Sequence, residues 1–344
     1  MKIKAKLIDE KIIVEKAKDV GRLYNKSRLG KPLSGDKLEL DLIEGCFLID
    51  EGKIDIKKEN KEISFEKLSK MASAEIKDFD IKYLAFKDLR KRGCIIKLYG
   101  DDEDITFLDC KEEFVVCVFS EKNHFDFNET SELIKNTKKR NLKLYFAVVD
   151  SEGDVTYYDV SKVDLEGFNK KEEYPKAKGF LFDNGVVIYD ERIRKSLFEK
   201  DFFGKPFGNA IRISFVEALY LLEKRILDII DSKEKKVDYK QIMEKAKDIA
   251  PSFESVYTVY RDLKEKRLIV KTGFKFGTDF RVYTKNPDEI HAEYLVQTIE
   301  KESKIVWSEM SRIIRLGHSV NKEIVFACIK DKKIEYIKFG RLRP

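Results

Sequence analysis

The run Phe276-Gly-Thr-Asp-Phe-Arg-Val-Tyr283 ends in strict alternation, so that Phe280 and Val282 share one face of an extended chain and Arg281 and Tyr283 the other. Because the apolar face has to be buried, the pattern predicts that Tyr283 projects outward. Asn286-Pro-Asp288 then reads as a turn, followed by a second apolar run, Tyr294-Leu-Val-Gln297. His291 lies between them, where reversal of the chain brings its imidazole back towards the Tyr283 phenol. Lys322 stands where an amphipathic helix, starting near Ser308, gives way to the strand Glu323-Ile-Val-Phe-Ala-Cys328. A phenol, an imidazole and an ammonium at the edges of elements form a set able to do acid-base chemistry on a phosphodiester.

The same periodicities predict small α/β units elsewhere. Ala5-Lys-Leu-Ile-Asp9 with Lys11-Ile-Ile-Val14, and Gly179-Phe-Leu-Phe182 with Val186-Val-Ile-Tyr189, are strand-like runs joined by short Asp-containing turns, which is a hairpin signal. An apolar helix is predicted around Val216 to Ile230. Pro251-Ser252 predicts a break and an N-cap for a helix carrying Val256, Tyr257, Tyr260 and Leu263, before the strand Leu268-Ile-Val-Lys271. Between Val237 and Gly277 the order is helix, turn, helix and wing.

The chain also repeats itself. Leu29-Gly-Lys-Pro-Leu33 recurs as Phe203-Gly-Lys-Pro-Phe207, and Phe86-Lys-Asp-Leu-Arg-Lys-Arg-Gly-Cys-Ile-Ile-Lys97 recurs as Tyr260-Arg-Asp-Leu-Lys-Glu-Lys-Arg-Leu-Ile-Val-Lys271, both shifted by 174 positions. Leu42-Ile-Glu-Gly-Cys-Phe-Leu-Ile49 returns as Phe215-Val-Glu-Ala-Leu-Tyr-Leu-Leu222. Further on the shift becomes 180, aligning Cys110-Lys-Glu-Glu-Phe-Val-Val116 with Ile290-His-Ala-Glu-Tyr-Leu-Val296, and Phe146-Ala147 with Phe326-Ala327. Repeats in this order imply a tandem duplication of roughly domain-pair size. The predicted fold class is mixed α/β, with each repeat a small N-terminal α/β domain followed by a second α/β domain around a central mixed sheet. The expected boundaries are 1–78 and 79–166 for the first repeat, 167–178 for a linker, and 179–251 and 252–344 for the second.

Composition adds a charge asymmetry to this picture. The 344 residues carry a formal net charge of +6. Residues 252–344 hold 19 Lys and Arg against 13 Asp and Glu, whereas residues 79–166 hold 14 against 19. One domain thus suits a polyanion, and its counterpart suits a basic protein surface. The Met-Lys-Ile-Lys-Ala-Lys start has no apolar leader and no run is long enough to span a membrane, so a cytoplasmic protein is expected. The five cysteines (Cys46, Cys94, Cys110, Cys117, Cys328) lack CxxC spacing, so they are expected to be reduced and no metal or other cofactor is expected.

Comparing the repeats isolates the chemistry. His291 aligns with Lys111 and Lys322 with Leu142, while the segment matching Gly273 to Tyr283 shrinks to Leu98-Tyr-Gly-Asp-Asp-Glu-Asp-Ile-Thr-Phe107 and has no tyrosine at the strand end. Singly, each residue has an ordinary reading: a surface aromatic, a structural histidine, a lysine complementing a helix dipole. Their joint loss points to one task confined to the second half.

With Leu263-Lys-Glu-Lys-Arg-Leu-Ile-Val-Lys-Thr-Gly-Phe-Lys-Phe-Gly-Thr-Asp-Phe-Arg-Val-Tyr283, His291-Ala-Glu-Tyr-Leu-Val296 and Arg312-Ile-Ile-Arg-Leu-Gly-His-Ser-Val-Asn-Lys322, the chain resembles the archaeal tRNA-splicing endonucleases over nearly its whole length. The likeness is to the homodimeric kind, whose subunit fuses a degenerate repeat to an active one. Ala292 stands where that family usually has Ser, and Asn321 where a basic residue is common.

The resemblance implies that Tyr283, His291 and Lys322 are catalytic. Tyr283 would help remove the proton of the 2′-hydroxyl. A phenol with an intrinsic pKa of about 10 needs a neighbouring cation for that, and Lys322 or Arg281 could supply it. His291 would protonate the departing 5′-oxygen, since an imidazole holds both charge states near pH ~6.5. Lys322 would stabilise the phosphoryl oxygens. Expected products are a 2′,3′-cyclic phosphate and a 5′-hydroxyl.

By the same resemblance the partner is precursor tRNA in a bulge-helix-bulge, its bulged bases clamped by Arg315 and by Lys338 or Arg341, with Arg281 a further RNA contact. The acidic loop carrying Asp150, Glu152 and Asp154 would dock into a second copy, whereas its counterpart, Lys330-Asp-Lys-Lys333, is basic. Two other readings compete. A winged-helix nucleic-acid reader without catalysis matches the Val237–Gly277 pattern, and a metal-dependent nuclease would need an Asp…Glu-x-Lys arrangement that the sequence does not offer.

Overall fold

Ile3–Ile8 buries every second residue, as a strand with one covered face must, and turns through left-handed Asp9 and Glu10 into its antiparallel neighbour Lys11–Val14. Ile54–Lys58 joins its other edge in parallel. This computed structural model describes residues 2–99, 106–109, 113–168, 174–300, 304–330 and 333–344. In the first half a 6-stranded sheet runs in the order Lys31–Leu33, Lys37–Leu40, Lys11–Val14, Ile3–Ile8, Ile54–Lys58, Lys61–Glu62. In the second half a 6-stranded sheet follows the same plan: Lys205–Phe207, Ala210–Ile213, Gly185–Ile188, Ala177–Phe182, Leu227–Ile230, Lys236–Val237.

The repeated Gly-Lys-Pro has a physical reason. Gly30 and Gly204 adopt φ of +79° and +60°, where a Cβ would come within 2.7 Å and 2.5 Å of neighbouring atoms. Each glycine amide donates to a helix carboxylate, Glu44 at 3.0 Å and Glu217 at 2.8 Å. The same two glutamates close capping boxes on Leu42–Asp50 and Phe215–Glu223. One acid therefore starts a helix and fixes a strand turn, and burial pushes the Glu44 carboxyl up to about 7.

The second domains repeat as well. In the first half Val155–Lys162, Lys143–Val149, Phe114–Ser120, Thr106–Asp109 and Ile96–Tyr99 lie side by side in that order. In the second half the run is Lys333–Leu342, Glu323–Lys330, Tyr294–Ile299, Phe280–Tyr283, Ile269–Thr272. Its one parallel pair, Tyr294–Ile299 with Glu323–Lys330, is bridged by the helix Trp307–Ser319. The mixed α/β tandem duplication read from the sequence is the observed architecture.

The described residues form two compact units. Unit 1 comprises Met1–Val160 with Lys304–Met310 and Arg341–Pro344; unit 2 comprises Ser161–Ser303 and Ser311–Gly340. In unit 1 Trp307 is buried among Phe119, Phe125, Phe146 and Tyr158. Unit 2 buries Leu165 with Val259, Tyr260, Val282 and Val325. Among the described residues no helix is long and apolar enough to cross a membrane.

Two local expectations are corrected. The helix predicted to reach Ile230 stops at Glu223, because Arg225 turns left-handed at φ 59° while Ile226 N–H closes onto Leu221 O at 2.9 Å; Leu227–Ile230 is a strand. Ser252 does precede the helix Phe253–Glu265, but its ψ of 3° leaves its hydroxyl without a capping bond.

Candidate active site

Strand Phe280–Tyr283 sits between Ile269–Thr272 and Tyr294–Ile299, in a register that sets Tyr283 opposite Ile269, Arg281 opposite Lys271, and Val282 opposite Tyr294. Phe280 and Val282 enter the core, as the alternation requires. The other face is covered too. Tyr283 is only 8% exposed and packs with Ile269, Ala292 and the half-buried Phe202. Its predicted outward projection is thus corrected: Phe202, at φ 57°, belongs to the segment just before Gly204 and lies over that face.

Lys271 ties this cover down. Its ammonium donates to Phe202 O and, at 2.9 Å, to Gly204 O, with Glu217 Oε1 at 3.9 Å. Burial lowers its pKa, while the Glu217 charge acts the other way. The sequence reading missed Phe202 and Lys271 as parts of the site. The internally repeated Gly-Lys-Pro beside Phe202 signals the turn, yet nothing local shows what the turn covers.

The two remaining candidates come from different elements. Asn286 O accepts from Glu289 N and Ile290 N at 3.0 and 3.1 Å, a turn that delivers His291 exposed at the start of Tyr294–Ile299. On the neighbouring strand Tyr294 is in register with Glu323, and Glu323 N–H donates to Glu293 O at 3.0 Å, which brings Lys322 alongside the segment that follows His291. Left-handed Asn321, at φ 54°, makes the reversal from the helix, and Lys322 Nζ donates to Ala292 O at 2.8 Å. The same ammonium stands 5.8 Å from the Phe276 ring centroid.

Ala292 is therefore the shared point: it touches Tyr283, accepts from Lys322 and directly follows His291. The Arg281 guanidinium lies 6.0 Å from the Tyr283 ring centroid, and its Nε is buried with no hydrogen-bond partner among the described residues. Burial lowers the Lys322 pKa, and the Arg281 charge lowers it further. Two cations crowding one partly desolvated corner favour an anion between them. Among the described residues no group of three or more His, Cys, Asp and Glu side chains is gathered for a metal ion.

The other candidates lie on further elements. Arg315 is exposed on the helix Trp307–Ser319, as is His318. That helix ends at Ser319, so Lys322 stands between it and the strand Glu323–Lys330. Lys338 pairs with Glu323 at 3.0 Å, and exposed Arg341 counts with unit 1.

The acidic loop joins Lys143–Val149 to Val155–Lys162 as expected. Within it Asp150 Oδ1 accepts from Glu152 N at 3.0 Å and Asp154 N at 2.9 Å, so Asp150 holds the turn while the Glu152 and Asp154 side chains face solvent. Two residues of its basic counterpart, Asp331 and Lys332, lie outside the described residues, as does Lys111 opposite His291.

Comparison with known proteins agrees with the duplication. The tRNA intron endonuclease N-terminal domain matches residues 3–69 and 177–243, and the tRNA intron endonuclease catalytic C-terminal domain matches residues 79–157 and 253–336. A tRNA-splicing endonuclease of Methanococcoides burtonii is 35% identical over 353 residues, covering 99% of this chain and all of its own length. One from Methanosarcina barkeri is 32% identical over 99% of this chain and 100% of itself. A tRNA-splicing endonuclease of Methanococcus vannielii is 38% identical over 165 residues, which is 93% of that protein but 47% of this one.

Proposed function

Because the chain belongs to the tRNA intron endonuclease family, we propose that it is a tRNA-splicing endonuclease acting on precursor tRNA at the intron-exon junctions of a bulge-helix-bulge. The proposed reaction is attack by the 2′-hydroxyl beside the scissile phosphate, with no metal ion. The packing of Tyr283 with Ala292 and the bond from Lys322 to Ala292 O, next in the chain to His291, support this reading most directly.

The 2′-oxygen bonds to phosphorus as the bond from phosphorus to the 5′-oxygen breaks. Tyr283, beside the Arg281 guanidinium, helps take the 2′-proton. His291, exposed at the rim, gives a proton to the departing 5′-oxygen. Lys322, its ammonium positioned by Ala292 O, stabilises the charge on the non-bridging oxygens and is itself relieved of repulsion from Arg281 when the phosphate arrives. The nucleophile and leaving group both belong to the RNA, so positioned proton carriers and a cation suffice.

Around this centre Arg281 contacts the RNA backbone and Arg315 clamps an unpaired base, with Lys338 or Arg341 opposite it. Of these two, Lys338 would first have to leave Glu323. The enzyme works as a homodimer in which Glu152 and Asp154 dock into basic surface on a second copy. A non-catalytic winged-helix reader fits less well, because residues 253–336 match a catalytic C-terminal domain.

Incubation with intron-containing precursor tRNA in EDTA, followed by end-group analysis, tests the proposal. Cleavage leaving 2′,3′-cyclic phosphate and 5′-hydroxyl ends is expected. Ends bearing a 5′-phosphate, or cleavage only after a divalent cation is restored, would contradict it.

A further inference from the structure

Phe274 is 85% exposed, more than any other large apolar side chain described, yet its backbone is firmly held. It opens the 3-10 turn Phe274–Phe276 between Ile269–Thr272 and Phe280–Tyr283. Gly273 N–H donates to Asp279 O at 2.9 Å, Phe276 N–H to Gly273 O at 2.7 Å, and the Phe274 amide to Thr272 Oγ1 at 3.2 Å. An aromatic ring fixed at its base and bare to water offers a whole face for stacking, and its neighbours decide what it could meet.

The turn's position indicates which partner. Two residues on, the Phe276 ring lies 5.8 Å from Lys322 Nζ, so the turn forms one wall of the catalytic corner. At its far end Gly277 abuts the exposed Leu316, whose Cδ1 lies 3.5 Å from where a Cβ would stand. Exposed Lys275 follows Phe274 on the turn, and exposed Arg315 precedes Leu316 on the helix. At the equivalent place the first half reads Gly100-Asp-Asp-Glu-Asp104, with acids where the second half has aromatics and a lysine. An aromatic among cations, beside a phosphodiester-cleaving site, matches a nucleic acid base: the cations meet phosphate and the ring meets the uncharged π-face.

We propose that Phe274 is a stacking platform for an unpaired base of the RNA substrate next to the cleaved bond. The proposal rests on the endonuclease reading above. It concerns a ring on the strand-connecting turn, separate from the basic clamp of the helix Trp307–Ser319 and the last strand. Stacking needs an unpaired base, because bases within an A-form helix are already stacked and their edges hard to reach. Phe274 therefore contributes to selecting unpaired over paired RNA at the junction.

The test titrates the full-length protein into precursor tRNA that carries 2′-deoxyribose at the cleaved positions and 2-aminopurine at single unpaired positions. Wild type should change the fluorescence of one 2-aminopurine on binding. F274A should lose that change and bind about 5-fold to 100-fold more weakly, and F274W should restore both. The salt dependence of affinity should keep its slope, because no charge is removed. Normal binding and a normal fluorescence change in F274A overturn the proposal, as does an affinity loss that follows dissociation into monomers in sedimentation, which would assign the ring to a protein contact. If wild type neither binds nor cleaves natural precursor tRNA, the endonuclease reading falls and carries this one with it. If wild type cleaves while F274A binds normally, only the stacking proposal falls.

Discussion

In the first half the Tyr157 hydroxyl donates to Asp88 Oδ2 at 2.7 Å; in the second, Tyr336 donates to Asp262 Oδ2 at 2.6 Å. Tyr83 with Asp50 and Tyr257 with Glu223 form another matching couple, and Glu44 and Glu217 hold their glycine amides alike. Even the helix exits agree, since Asn141 and Asn321 are left-handed at φ 57° and 54°. Immediately after those asparagines the halves part, with half-buried Leu142 in one and Lys322 in the other. Position 28 is equally telling, because Arg28 shares the left-handed backbone of Phe202 but not its apolar ring. What recurs in both halves serves the fold; on the proposed reading, Tyr283, His291 and Lys322 occur only in the second because the chemistry is there.

The contrast can be broken first at the silent half's proposed remaining task. Reversing Glu152 and Asp154 to Lys, while leaving Asp150 to hold its turn, should weaken dimerisation by several kcal/mol, giving monomers in sedimentation and poor cleavage. Fully active dimers would remove the docking role. A smaller effect is expected at the cover of the active face. Phe202→Ala should slow single-turnover cleavage about 10-fold to 100-fold by loosening Tyr283, with Phe202→Leu recovering most of the rate. Arg28→Ala should leave the rate alone, and equal losses at the two positions would show that the cover is merely structural. Smallest are the shared tyrosines: Tyr157→Phe and Tyr336→Phe should each lower stability by about 1.5–3 kcal/mol, read from denaturant midpoints, since each leaves a carboxylate short of a donor. An effect in only one half would contradict their common structural role.

Much of this was legible in the chain. The duplication showed in Gly30 and Gly204 because a left-handed glycine cannot be exchanged cheaply, and in Asp88 and Asp262 because each is the acceptor for a distant tyrosine. Tyr283, His291 and Lys322 stood out because one half lacks all three. The surroundings of Tyr283 were hidden, since Phe202 and Lys271 reach that face from segments 69 positions apart and no local pattern encodes such a contact. Alternation assigned the tyrosine to the second face of its strand but could not tell that this face is covered. The helix overrun to Ile230 has a similar origin, because a continuous apolar stretch does not reveal where Arg225 turns left-handed.

On the proposed reading all of the chemistry belongs to the second half. Single-turnover cleavage of precursor tRNA by His291→Ala, followed separately at the two intron-exon junctions, tests it most directly. Both junctions should slow by about 10²-fold to 10⁴-fold while the RNA is still bound. A junction that continues to be cut at the wild-type rate would contradict it.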